Sequence, residues 1–502
     1  MSVPTVAWVL LGVGGFAALY ILLRDLKGPV IGVYPRFDFD DGEAVGFPGL
    51  ARLPRLSVIS IRYRYLYAIL FMTSETVRVI FPNRARFLLV HLGLLRRRIL
   101  ARGLADSETA RRWQTEAYAL AQQLEFHAPE LITACPTIPE PDRARFAERA
   151  PELVDAAAQG RLFIVDHGPY LEGTAPFKRP GALLYATRAY VLVRDGQPLL
   201  AAIASDRGVA LPGDAEWMAA RAMHAHGSLL VCQIGLHLLT HLIAEVMAVA
   251  MYRKLRRGHP MRQLLQPFIG LVPFVNNGYG KEVIFGSIAD TSSLTREGLY
   301  RLVKNTSRDT WGYFDAMGHL ERRGVQGLPG YVYGTETVRF YEVTAAGARE
   351  LVAALYPTDE AVAADAPLCA WLDELTTRLR WPTLAKTRAA LSHFLGNLLH
   401  LSTFRHSVYH YRVYELYGVP GAAPSIIHED GSPVDLVKQY AIEYYAYCME
   451  NSIPRWRCET SRHEELGVEH EALVAPLDRM LERYAEVARG PYASLKHTTI
   501  SH

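Results

Sequence analysis

The spacing of apolar residues changes character several times along the chain. Val6 to Leu23, VAWVLLGVGGFAALYILL, is an uncharged run of 18 residues. As a helix it rises about 27 Å, close to the hydrocarbon thickness of a bilayer. Arg24 and Lys27 follow the run and no basic residue precedes it. That order predicts a membrane anchor rather than a cleaved leader, with the bulk of the chain on the cytoplasmic side. Residues 57–102 alternate apolar stretches with arginines, which suits a segment lying on an anionic membrane surface or a helix whose arginines face water. Between 103 and 160, charged and alanine-rich stretches flank PTIPEP, 136–141, and predict helices around a loop.

From 161 the period shortens. RLFIVD (161–166) and ALLYATRAYVLVRDGQPLLAAIAS (182–205) have the texture of strands, with Asp195-Gly196 marking a hairpin. From Trp217 onward the spacing turns helical, with apolar faces in 229–256, 344–356, 383–404 and 434–448. The fold class this predicts is mainly α with a small β-sheet subdomain, preceded by an N-terminal transmembrane helix. The chain divides into 1–28, anchor and connector; 29–150, an N-terminal helical segment that one reading places on the membrane; and 151–502, the main body.

Composition narrows the function. The chain has 502 residues, half of them hydrophobic, enough for a large core. Fifty-four basic and 51 acidic residues leave a net charge of +3, and together with the lack of a nucleic-acid-binding motif this excludes nucleic acid as the partner. The five cysteines are scattered without a CxxC pair, which argues against a disulfide framework or a thiolate zinc site. No P-loop, no strand-borne GxGxxG and no GxSxG elbow is present.

The histidines carry the candidate chemistry. His237 and His241 stand four apart in an apolar run, with Glu245 continuing the same helical face. His406 and His410 repeat the spacing. Random placement of 18 histidines would give roughly 0.6 such pairs, and two are present. Two helices each presenting an HxxxH pair can bring four imidazoles to one metal ion. A nitrogen-rich site without thiolate suits iron, copper, nickel or zinc equally. The competing reading is four core or surface histidines. HLLTH lacks the glutamate of HExxH, which argues against zinc-protease chemistry.

The neighbouring residues are more specific. HLLTHLIAEVMAVAMYRKLRRGHPMRQLLQP, 237–267, resembles the central helix and following loop of the lipoxygenase family. RLFIVDHGPYLEG, YATRAYVLVRDGQPLLAAIAS and LPGDAEWMAARA are similar, in the same order, to that family's LFxVD strand, its hairpin and its approach to the metal helix. TFRHSVYHY resembles the segment carrying the third histidine and the fourth ligand, and RGPYASLKH the terminal PYxxL segment. The likeness is good over 160–415 and weaker elsewhere. It leaves no room for the N-terminal β-barrel of many eukaryotic members, so it implies a lipoxygenase-like catalytic domain, 151–502, behind an anchor.

The resemblance implies non-haem iron, with manganese as the alternative, held by His237, His241, His406 and His410 and usually completed by a C-terminal carboxylate; here the His502 carboxylate reaches the ion, or its ring or that of His497 takes that place, or the fifth position is open. It places Gln233 and Glu245 behind the ligands and Gly286 at a pocket position tied to product stereochemistry. The implied function is insertion of O2 into a polyunsaturated fatty acid or acyl chain after hydrogen removal, by an enzyme that meets its lipid at the membrane. Two departures bear on this. The first histidine pair is spaced four apart where the family has five on a π-widened helix, and the chain ends in KHTTISH instead of isoleucine. An altered ligand set shifts the potential of a metal. Hydroperoxide isomerisation, desaturation or a secondary-metabolite oxidation on the same site is therefore the second reading, and a non-catalytic membrane-bound binding or scaffold protein the third.

Overall fold

Side-chain alternation builds the sheet that frames the site. In the computed structural model, the described residues are 115–126, 129–270, 272–276, 292–411, 426–429, 467–488, 492 and 500. The apolar run at 6–23, the 434–448 face, Gly286 and His502 lie outside them. Strands β1 (Ile132–Ala134), β2 (Leu162–Asp166), β4 (Thr187–Arg194), β5 (Gln197–Ser205) and β6 (Gly208–Ala210) form one antiparallel sheet in the order β1-β2-β4-β5-β6. A second, two-stranded pair joins β3 (Ala182–Leu183) to β7 (Ile427–His428).

The β4–β5 hairpin turns at the Asp195-Gly196 pair read from the sequence. Both residues adopt positive φ, 52° and 72°, the backbone that a two-residue turn needs to match strand twist. One face of the sheet, carrying Phe163, Val165, Ala189, Val191 and Ile203, joins the main core. The other, with Leu162, Ile164, Tyr190, Leu192 and Ala202, packs on Phe146 and Leu153 of the helices Asp142–Arg149 and Pro151–Ala158. Because β2 is covered on both sides, its sequence is continuously apolar rather than alternating. The reading of 103–160 as helices around a loop omits β1. Three residues are too few to show a period of two, and Ile132–Ala134 is a strand only through its pairing with Phe163–Val165.

The rest of the described chain is helical. One continuous helix, Trp217–Lys254, is long and apolar enough to cross a membrane, yet 89% of its most apolar window is buried inside the protein. It is the axis of the core. Ala366–Leu379 packs along its C-terminal half, and Val332–Leu355 packs on both Arg388–His400 and Glu471–Val487. Both candidate histidine pairs sit where helix meets helix at the centre of this layer.

Candidate metal centre

Each histidine pair follows directly on a π-helical segment. Leu229–Leu236 is π-helical and gives way to α-helix at His237; Leu401–Arg405 is π-helical and gives way at His406. A π turn carries an extra residue and rotates everything after it relative to an α-helix, and such segments concentrate at functional sites. The first is pressed against the helix Arg296–Thr306 through Gly235, where a Cβ would lie 2.6 Å from Thr306 Cγ2. The widening is therefore present but lies ahead of His237. The turn from His237 to His241 is ordinary α-helix, which the four-residue spacing requires to keep both rings on one face.

The four rings converge. His237 lies 5.1 Å from His241, 5.1 Å from His406 and 5.0 Å from His410 between ring centroids. His241 Nε2 is 3.0 Å from His406 Nε2, which is 3.2 Å from His410 Nε2. Candidate ligand atoms of His237, His406 and His410 all lie within 4.8 Å of one another. His237 and His406 are buried, His241 and His410 partly so.

These separations have a chemical meaning. Nitrogens bound at about 2.1 Å and occupying neighbouring vertices of an octahedron are about 3.0 Å apart. One proton satisfies one of the two Nε2 contacts that His406 makes; a shared cation satisfies both.

The tautomer of His241 is fixed from outside. Its Nδ1–H donates to Asn276 Oδ1 at 2.9 Å, while Asn276 Nδ2 donates to Glu245 Oε2 at 2.6 Å and to the His241 carbonyl at 3.1 Å. Two acceptors around Nδ2 set the amide orientation, so Nδ1 of the ring is the protonated nitrogen and the Nε2 lone pair faces the other rings. Burial, and then the charge of His410, push the His241 pKa down to about 3, the Asn276 bond opposing them. A neutral imidazole is the form that binds metal.

Gln233 sits one turn before His237 and donates from Nε2 to the Tyr409 carbonyl at 2.9 Å, bridging the two histidine-bearing helices. Glu245 lies behind Asn276 rather than against a ring. The described end of the chain also reaches this region, since buried Ile500 donates its N–H to the Ser402 carbonyl at 2.7 Å, one turn before His406.

Sequence reasoning missed three groups. Asn276 gave no signal, because its role exists only across the space between two helices. Arg405 and Glu130 form a buried ion pair at 2.5 Å, both at most 3% exposed. Tyr333 and Tyr409 hydroxyls also donate to that carboxylate. Burial alone raises the Glu130 pKa, but Arg405 and the two hydroxyls outweigh it and hold the group below the usual carboxylate value. Removing two charges from water costs roughly several kcal/mol per ion, which only such complete pairing offsets. The available signal was an arginine inside LLHLSTFRHSV, a stretch with no acidic residue or lysine beside it.

In fold the described chain is similar to solved lipoxygenase structures, and in sequence to lipoxygenases. The polyunsaturated fatty acid lipoxygenase ALOX8 of Mus musculus is 27% identical over 324 residues, 59% of this chain and 48% of that protein. The hydroperoxide isomerase ALOXE3 of Homo sapiens is 30% identical over 176 residues, 34% of this chain and 25% of that protein. Among solved structures, the Delta413-417:GS lipoxygenase superposes with a TM-score of 0.77 at 18% identity, covering 93% of this chain and 80% of that one. Its complex with arachidonate gives a TM-score of 0.74, also at 18% identity, over 90% of this chain and 76% of that one. No family model matches the chain. The chain spans about half the length of the curated relatives it matches.

Proposed function

We propose that this chain is a lipoxygenase-type oxygenase, using non-haem iron to insert O2 into a polyunsaturated fatty acid or acyl chain. The observation that carries the reading is the meeting of His241, His406 and His410 Nε2 atoms at 3.0 and 3.2 Å, with His237 beside them. His237, His241, His406 and His410 would hold the ion, with manganese as the other candidate. His502 is the proposed further ligand, supported by the docking of Ile500 on Ser402. A bound iron would supply the one-electron redox chemistry needed to oxygenate a carbon chain carrying two cis double bonds. The residues of the chain do the rest. Asn276 orients His241, and Gln233 ties the two helices. Leu236, Leu238, Leu239, Phe404 and Val408, next to the histidines in sequence, are buried, which would help to exclude water. Gly286 remains the proposed pocket position on the resemblance alone.

A second reading, hydroperoxide isomerisation on the same site, is supported by the shortened first pair; sequence similarity does not separate the two readings, since the lipoxygenase ALOX12 of Homo sapiens is also 30% identical. The Val6–Leu23 run supports an anchor that would bring a cytoplasmic enzyme to lipid dissolved in the same bilayer. The test is elemental analysis of purified protein combined with oxygen uptake on linoleate. One metal per chain, with a conjugated-diene hydroperoxide as product, is the result expected. Metal without oxygen uptake, but with turnover of an added lipid hydroperoxide, moves the assignment to the isomerase. Absence of bound metal ends both.

A further inference from the structure

The two histidine pairs belong to helices far apart in sequence, so their spacing has to be set by something other than the chain between them. One carboxylate touches the neighbours of both. Glu130, in the turn before β1, accepts from Arg405 Nε at 2.5 Å, and Arg405 immediately precedes His406. Its other oxygen accepts from the Tyr409 hydroxyl. Tyr409 lies between His406 and His410, and its ring stacks on the His237 imidazole, 5.2 Å between centroids at an interplanar angle of 13°.

A third branch closes the loop. The Tyr313 hydroxyl lies 2.8 Å from the Tyr409 hydroxyl and 3.3 Å from the carbonyl of Leu236, the residue before His237. Its ring carries the Arg405 guanidinium at 3.5 Å. The backbone needs such support at this point. After His406 the helix tightens to i→i+3 bonds, Tyr409 N–H to His406 O and His410 N–H to Ser407 O, and an end of that kind is held weakly by its own ladder.

We propose that Glu130 is a positioning residue for the metal centre: through Tyr409 and Arg405, its carboxylate sets the orientation of His237 relative to the His406–His410 pair before any ion binds. The inference rests on the metal-centre reading above. Tyr333 provides an internal control, because its hydroxyl donates to the same carboxylate while its ring packs on Tyr331 and Phe404 instead of the imidazoles.

The experiment titrates Co(II) into metal-free full-length protein and follows its visible absorption, which reports affinity and ligand geometry without turnover. Wild type is compared with Glu130→Gln, Tyr409→Phe and Tyr333→Phe, and the thermal midpoint of each is recorded. Glu130→Gln and Tyr409→Phe are expected to weaken Co(II) binding about 10–100-fold and to change the band shape. Tyr333→Phe lowers the midpoint and leaves the band and affinity as in wild type. Tyr409→Phe keeps the stacked ring, so its comparison with Tyr333→Phe decides the matter even where Glu130→Gln does not fold. Equal losses of midpoint with unchanged Co(II) affinity and spectrum overturn the proposal, as does an equal effect of Tyr333→Phe and Tyr409→Phe on the metal. A wild-type chain that binds no Co(II) overturns the metal centre and this inference together. One that binds Co(II) but oxygenates no lipid as the iron form breaks only the functional reading.

Discussion

Two clusters of histidines among the described residues are built on opposite principles. In the first, where β2 and β4 meet the start of the long helix, His167 and His224 stack at 4.4 Å with an interplanar angle of 16°. His224 Nε2–H donates to Gln123 Oε1 at 3.0 Å, and the Thr187 hydroxyl donates to His224 Nδ1 at 2.9 Å. His167 Nδ1–H then donates to Thr187 at 3.1 Å, and the Ser228 hydroxyl to His167 Nε2 at 3.1 Å. In that direction all four ring nitrogens of His167 and His224 are matched and both imidazoles are neutral. In the second group, nitrogens face nitrogens across 3.0 and 3.2 Å. Burial is common to both. What separates a structural histidine from a candidate ligand is whether its neighbour offers a complementary group or the same one.

The sharpest way to break the comparison is to remove the ring at the centre of the second group. His406→Ala takes away the nitrogen that both His241 and His410 approach, and is expected to abolish stoichiometric metal binding and with it any oxygen uptake. Elemental analysis after purification checks it, and full metal content in the variant would show that the rings do not share an ion. Next in size is Asn276→Ala, which leaves every ring in place but frees the His241 tautomer. A loss of about 10–100-fold in metal affinity is expected, read by competition with a chelator. An unchanged affinity would mean that the amide is a bystander.

The same contrast explains what the sequence could reveal. Periodicity placed the hairpin, the long helix and the two HxxxH pairs, because these depend on neighbours within a few residues. The order of motifs carried the family resemblance for the same reason. Spacing alone could not say that His237 and His406 approach each other rather than resembling His167 and His224, which also stand in apolar surroundings. Asn276 and Glu130 were invisible, since each acts on a residue from another element. The π segments escaped as well: an extra residue in a turn leaves no mark in LLVCQIGL, and the close approach of Gly235 to Thr306 is visible only in the structure.

The first group makes the complementary prediction. Thr187→Val removes the hydroxyl that sits between the two rings and leaves a donor and an acceptor buried without a partner. A loss of about 1–3 kcal/mol in folding stability is expected, measured by denaturant unfolding, with metal affinity unchanged. Should the substitution weaken metal binding as strongly as Asn276→Ala does, the two groups are coupled and the contrast between them fails.

The effect that is smallest at neutral pH is the most diagnostic of neutrality in the first group. Burial pushes the His224 pKa down to about 3, and burial, then His224 and His226, hold His167 well below its usual value. In the unfolded chain both titrate near 6.5. Between those limits the unfolded state binds more protons, so stability falls as pH drops from about 6.5 toward 3 and is insensitive to these groups at higher pH. Each histidine contributes a slope of up to about 1.4 kcal/mol per pH unit within the window. Glutamine at 224 has no such titration, so His224→Gln should flatten the pH dependence by one histidine's share. Denaturant unfolding at a series of pH values, on metal-free and metal-loaded protein alike, gives the two slopes. Identical slopes in wild type and variant would mean that the imidazole accepts its proton in the folded state, and the donor-to-acceptor order argued for this chain would have to be abandoned.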